Sequence, residues 1–114
     1  MNKSLVAATL FLSTACSLAL ADTCNIEDAK ARWKKMEEAN IIYGGGMIKN
    51  IPTFSIDEKI WSQTSYSSRI GLVKTFSCLI AGPGKALTRA RVVNRGGKTL
   101  ADWDGVDQSL DVKQ

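Results

Sequence analysis

Residues 65–103 read SYSSRIGLVKTFSCLIAGPGKALTRARVVNRGGKTLADW, and this stretch decides the fold. Its first half has helical spacing. Serines and threonine at 62–65 offer N-caps. Tyr66, Ile70, Leu72, Val73, Phe76, Leu79 and Ile80 then spread over a wide apolar arc, as on a helix lying against a sheet. The spacing predicts a helix over 65–81, ended by Gly82-Pro83-Gly84. The second half alternates. Arg89 and Arg91 interleave with Ala90 and Val92 across residues 87–94, Arg95-Gly96-Gly97-Lys98 makes a turn, and residues 99–103 return. That is a β-hairpin.

Toward the N-terminus, Phe54 and Ile56 alternate with polar residues over 53–57 and predict one more strand, with Ile60-Trp61 turning into the core. Gly44-Gly45-Gly46 breaks any periodic pattern and predicts a flexible joint. Residues 25–39 form a first helix, with Asn25 as N-cap and Asp28 three residues on. Ile26, Ala29, Trp33 and Met36 make its apolar stripe, and the remaining residues are mostly charged. The expected class is α+β: an N-terminal helix, then β-α-β-β, with a small sheet packed on a central helix. If the strands flanking that helix pair in parallel, they form a right-handed crossover. Residues 105–114 hold few large apolar side chains and are expected to be a loose acidic tail.

The first twenty-one residues have another logic. Lys3 supplies a charged start, an apolar run follows over 5–12, and Ala19-Leu20-Ala21 precedes Asp22. These are the marks of a cleavable signal peptide, 1–21, with cleavage near Ala21-Asp22 and a periplasmic or secreted product. The apolar stretch is short for a membrane span. An N-terminal anchor helix and lipidation at Cys16 are the alternatives, but for lipidation Ser13 stands where a lipobox has leucine. Cleavage leaves a single small α+β domain over 22–104 and the tail at 105–114. It also removes Cys16, so Cys24 and Cys78 remain as an even pair and are expected to form one disulfide. On the central helix Cys78 falls opposite the apolar arc, among Ser67, Gly71, Lys74, Thr75 and Ala81, most of them small. A bridge there ties the N-terminal segment to the outer side of that helix, where small residues allow the first helix close.

Residues 56–61, the helix after them, Arg91-Val92-Val93-Asn94 and Gly97-Lys98-Thr99-Leu100-Ala101 together resemble small exported bacterial proteins of uncharacterised function. Those proteins share a strand ending near tryptophan, a helix, and a hairpin closing on G-K-x-L-A. The resemblance covers about half the mature chain. It implies a periplasmic setting and a similar fold, and brings no catalytic residues.

The chemistry is narrowed by what the chain lacks. It contains no histidine, so the usual neutral-pH general base, the Ser-His and Cys-His pairs and the commonest zinc ligand are missing. Gly82-Pro83-Gly84-Lys85 is a poor phosphate loop, because Leu79 replaces the first glycine and Ala86 the hydroxyl residue. The acidic run from Asp102 to Asp107 places its glycine too early for a calcium loop, and position twelve is Lys113. No cofactor, metal site or catalytic residue is expected.

Charge is the remaining signal. Between residues 59 and 101 the chain has eight basic residues and no acidic one, with Asp102, Asp104, Asp107 and Asp111 following. Without Lys3 the mature chain has fourteen basic against eleven acidic residues, a net charge of about +3. Lys85, Arg89, Arg91, Arg95 and Lys98 are the candidate binding surface, toward an unknown protein or an anionic envelope component, with nucleic acid not expected. The competing reading is that the first helix and the acidic tail neutralise this face. The expected function is a non-enzymatic periplasmic or secreted binding or accessory module, with an envelope assembly as one setting for it. A secreted inhibitor or toxin-like effector, and a small hydrolase of unknown type, are the alternatives.

Overall fold

The computed structural model describes residues 24–113; the signal segment 1–21 and Cys16 lie outside the described residues. The chain is α+β. Helix α1 (Ile26–Glu38) is followed by strands β1 (Ile42–Ile48) and β2 (Ile51–Ile56), helices α2 (Glu58–Gln63) and α3 (Tyr66–Ala81), and strands β3 (Arg89–Val93), β4 (Thr99–Asp104) and β5 (Ser109–Val112). The sheet runs in sequence order, β1-β2-β3-β4-β5. Only β2 and β3 pair in parallel, because α2 and α3 return the chain between them; the other pairs are antiparallel.

The helix ends are held by the residues expected to hold them. Asn25 accepts a hydrogen bond from the Asp28 amide at 3.0 Å, and Ser65 accepts from the Ser68 amide at 3.2 Å. Gly82, at φ +86°, ends α3 in a backbone region that disfavours side chains. Asp57 caps α2 through the Ile60 amide at 2.9 Å, which makes residues 58–63 a short helix and not just a turn.

One core joins the elements. Phe54, Ile56, Val92, Ala90, Trp103 and Leu110 line one face of the sheet, and Trp33, Trp61, Val73 and Phe76 bring the helices onto it. At its centre Trp33, Phe54 and Phe76 pack with ring centroids 5.0–5.5 Å apart. Cys24 and Cys78 are disulfide-bonded, with Cα atoms 5.4 Å apart. The bridge fastens the start of α1 to α3, and α1 packs along α3 beside Gly71 and Thr75.

Three expectations are corrected. Gly44-Gly45-Gly46 is no flexible joint but the middle of β1, paired residue by residue with β2. Gly45 faces the core, where a Cβ would sit 2.8 Å from Cε1 of Phe76, so the strand reaches the aromatic trio only without a side chain there. The expected tail, as far as its described residues 105–113 go, is not loose, and the domain does not stop at 104. Leu110 is buried and pairs with Trp103, so β5 completes a sheet of five strands rather than three. Gly105 permits this turn, since a Cβ on it would collide with the Leu87 carbonyl.

Candidate functional site

The face of the sheet turned away from the core is organised in rows set by register. One row runs Gly46, Thr53, Arg91, Asp102, Asp111 across all five strands. The next runs Gly44, Ser55, Val93, Thr99. Side chains therefore thin out toward β1. The result is a shallow trough of about 250 Å³ over Gly44, Gly46, Thr53, Ser55 and Val93, continuing to Met47 and Ile48. Thr53 is only 4% exposed although it faces away from the core. Its hydroxyl donates to the Ile51 carbonyl at 2.8 Å, and that of Ser55 donates to the Asn94 carbonyl at 3.1 Å. Both hydroxyl oxygens keep capacity to accept.

The other half of this face is a charge network. Arg91 Nε donates to Asp102 Oδ1 at 2.8 Å, and Lys113 Nζ lies 2.6 Å from Asp111 and 3.9 Å from Asp102. The Asp111 carboxylate, followed by Asp102, holds the Lys113 ammonium above its usual range. Arg89 and Arg91 do share this face, as their spacing requires. Arg89 stands opposite Asp104 on the ladder but forms no ion pair among the described residues; Asp104 instead accepts from the Val106 and Asp107 amides.

The five basic candidates are spread along the β3–β4 hairpin and the loop before it. Arg95 and Lys98 lie in the turn at the far end of β3 from Arg89, and Lys85 lies in the loop before β3. Lys98 Nζ is 3.7 Å from Glu58, whose other oxygen accepts from Asn94 Nδ2 at 3.0 Å. The Arg95 guanidinium stacks over the Tyr43 ring, 5.0 Å from its centroid. The Tyr43 hydroxyl donates to Asp57 at 3.0 Å. Partial burial, then this bond, raises the Tyr43 pKa; the Ile60 amide, then the same bond, lowers that of Asp57. Neutralisation is thus local: Arg91 and Lys98 have carboxylate partners, while Lys85, Arg89 and Arg95 have none among the described residues.

The trough is built from residues that the sequence reading took only as a joint and a strand, and not as a site. A glycine triplet between Tyr43 and Met47 was the available signal. Among the described residues, no group of three side chains of the kinds that ligate metals is gathered, and no helix is long and apolar enough to cross a membrane. No protein-family model, curated protein or solved structure matches this chain.

Proposed function

We propose that the protein is a non-enzymatic binding or accessory module of an exported compartment, acting in an envelope assembly, and that it binds through the trough side of its sheet. Gly46 carries this reading. Its φ is not positive and a Cβ on it would meet nothing within 4 Å among the described residues, so neither backbone nor packing there asks for glycine. Glycine within a strand costs about 0.5–1 kcal/mol relative to alanine, and often marks close approach of a ligand or another backbone. Arg95, without a carboxylate partner among the described residues, stacks over Tyr43, the residue before the glycine triplet, and supplies a basic group of the kind expected of the surface. The Cys24–Cys78 disulfide is compatible with an oxidising compartment outside the cytoplasm.

The test is a pull-down from envelope extract with immobilised mature protein and with its Gly46→Val variant. Valine suits a strand and fills the trough. The reading expects the variant to keep its melting temperature and lose the captured species. Equal capture by both proteins overturns it.

A further inference from the structure

The two edges of the sheet are built differently. β5 is four residues long, with the Asp111–Lys113 ion pair at its end. A short, charged edge resists pairing with other chains. β1 is seven residues long and has no charged side chain from Ile42 to Ile48. Met47 is 60% exposed and Ile48 56%, and Tyr43 is also exposed. Gly45 is exposed too, although its Cα hydrogen side faces Phe76, so what it shows to solvent is edge backbone. Outside the β1–β2 ladder, no hydrogen bond among the described residues reaches the backbone of residues 42–48. Beyond the register shift between Ile42 and Gly44, β1 is an open template for another strand.

We infer that β1 takes up an extended segment of another polypeptide as a sixth strand, and that this segment is uncharged along its middle and acidic at both ends. The inference rests on the reading of the β1 side as the binding side. Charge selects the occupant. Arg95 lies over Tyr43 at one end of β1, and Lys49 follows Ile48 at the other; neither has an ion-pair partner among the described residues. The carboxylate at the Tyr43 end, Asp57, is already engaged by the Tyr43 hydroxyl and the Ile60 amide. Tyr43 and Lys49 are about 20 Å apart along a strand. A strand laid along β1 therefore runs from one cation to the other.

A second copy of this chain fits poorly. Antiparallel pairing of β1 with itself about Gly45 sets Tyr43 against the other copy's Met47 and brings Arg95 toward the other copy's Lys49, twice. Parallel pairing sets Arg95 beside Arg95 and Lys49 beside Lys49. Like charges meet in both, which opposes self-association. Backbone bonds give a peptide its affinity in this mode, and the flanking charges give it direction and selectivity.

The test uses the mature, disulfide-bonded protein with isotope-labelled amides. Three capped peptides of alternating threonine and valine are titrated into it: one with aspartate at each end, one with lysine at each end, and the aspartate peptide N-methylated at alternate backbone nitrogens. The aspartate peptide is expected to bind and to slow hydrogen exchange of those residue 43–48 amides that point away from β2 by about tenfold or more. The lysine peptide should bind about tenfold more weakly, and Arg95→Ala should weaken the aspartate peptide about threefold, the size of an exposed pair. N-methylation on the edge-facing side should abolish binding. Equal affinity for the aspartate and lysine peptides, unchanged exchange in β1, or no binding at millimolar peptide overturns the inference. So does a dimer in sedimentation whose β1 amides are protected without peptide. Loss of the envelope species in Gly46→Val together with unprotected β1 amides sinks strand addition alone. Protected β1 amides with undiminished capture by Gly46→Val sink the trough reading alone.

Discussion

The hydroxyl of Tyr66, in the first turn of α3, holds both backbone groups of Leu110 in β5: it accepts from the amide at 3.0 Å and donates to the carbonyl at 3.3 Å. One side chain thus supplies β5 with bonds of the kind a further strand would give. Tyr66→Phe keeps the ring and removes both bonds. It should cost about 1–2 kcal/mol in urea unfolding, at about 0.5–1.5 kcal/mol per net hydrogen bond. Amides of residues 109–112 should exchange faster, with those of β2 and β3 unchanged.

The disulfide links residues 54 positions apart, across most of the described chain. Chain entropy over such a loop amounts to about 4 kcal/mol. Cys24→Ser or Cys78→Ser should lower unfolding stability by about 2–5 kcal/mol, the usual cost in small secreted domains. Thiol titration of the unreduced mature protein should find no free thiol.

Two neighbouring glycines should respond in opposite ways. Gly45→Ala drives a methyl into Phe76, which is itself wedged between Trp33 and Phe54, and should destabilise by about 1–3 kcal/mol. Gly46→Ala meets nothing and should be neutral or stabilising by about 0.5–1 kcal/mol. Thermal melts of both variants, side by side, measure the difference.

The Arg91–Asp102 pair is about one-third exposed on each side, and solvent screens it. A double-mutant cycle with Arg91→Ala and Asp102→Ala should return about 0.2–1 kcal/mol, shrinking as salt rises. Arg89→Ala with Arg91→Ala should leave the fold intact for the same reason, so a loss of partner binding in that variant would report on recognition and not on stability.

Asp57 couples acidity to the fold. Its carboxylate accepts from the Ile60 amide and the Tyr43 hydroxyl, which lowers its pKa from the ordinary 3.8. A lowered folded pKa means that the unfolded chain takes up the proton first as pH falls. The Asp57 contribution is therefore complete above the ordinary value and is lost as pH drops through it to the folded value. Tyr43 has the opposite sign: its raised pKa gives a contribution present below the ordinary 10.0 and lost as pH climbs through the folded value. Urea midpoints of the wild type and Asp57→Asn should converge at acid pH and separate above pH 4. Parallel curves across that range would remove Asp57 from the pH dependence.

Much of the architecture is local and was legible as such. Asn25 and Ser65 cap helices through bonds three residues away, and Gly82 stops one through its own backbone, so short windows suffice. The stripe of Ala29, Trp33 and Met36 points inward because helical geometry puts those positions on one side. Cys78 was placed by helical phase, and cysteine parity did the rest. The β3–β4 hairpin needs only its turn and its alternation. The caps, the stripe, the phase of Cys78 and the hairpin are determined by the sequence because each depends on neighbours close in the chain; the pairing across 54 positions needed only an even count of cysteines.

What the sequence left open depends on distant partners. Three glycines in a row are a breaker locally; they become a strand because β2 supplies the hydrogen bonds and Phe76 leaves no space for a side chain at Gly45. Four residues with one leucine do not announce a strand until Trp103 pairs with Leu110 and Tyr66 clamps it from 44 positions away. The five basic side chains looked alike in a charge count, yet Arg91 meets Asp102, Lys98 meets Glu58 and Arg95 stacks on Tyr43. Charge is a local property of a residue, whereas its neutralisation is decided by which residues the fold brings within a few ångströms. The trough and the open edge of β1 exist only at that level, as surfaces made by side chains that are absent and a strand that has one neighbour.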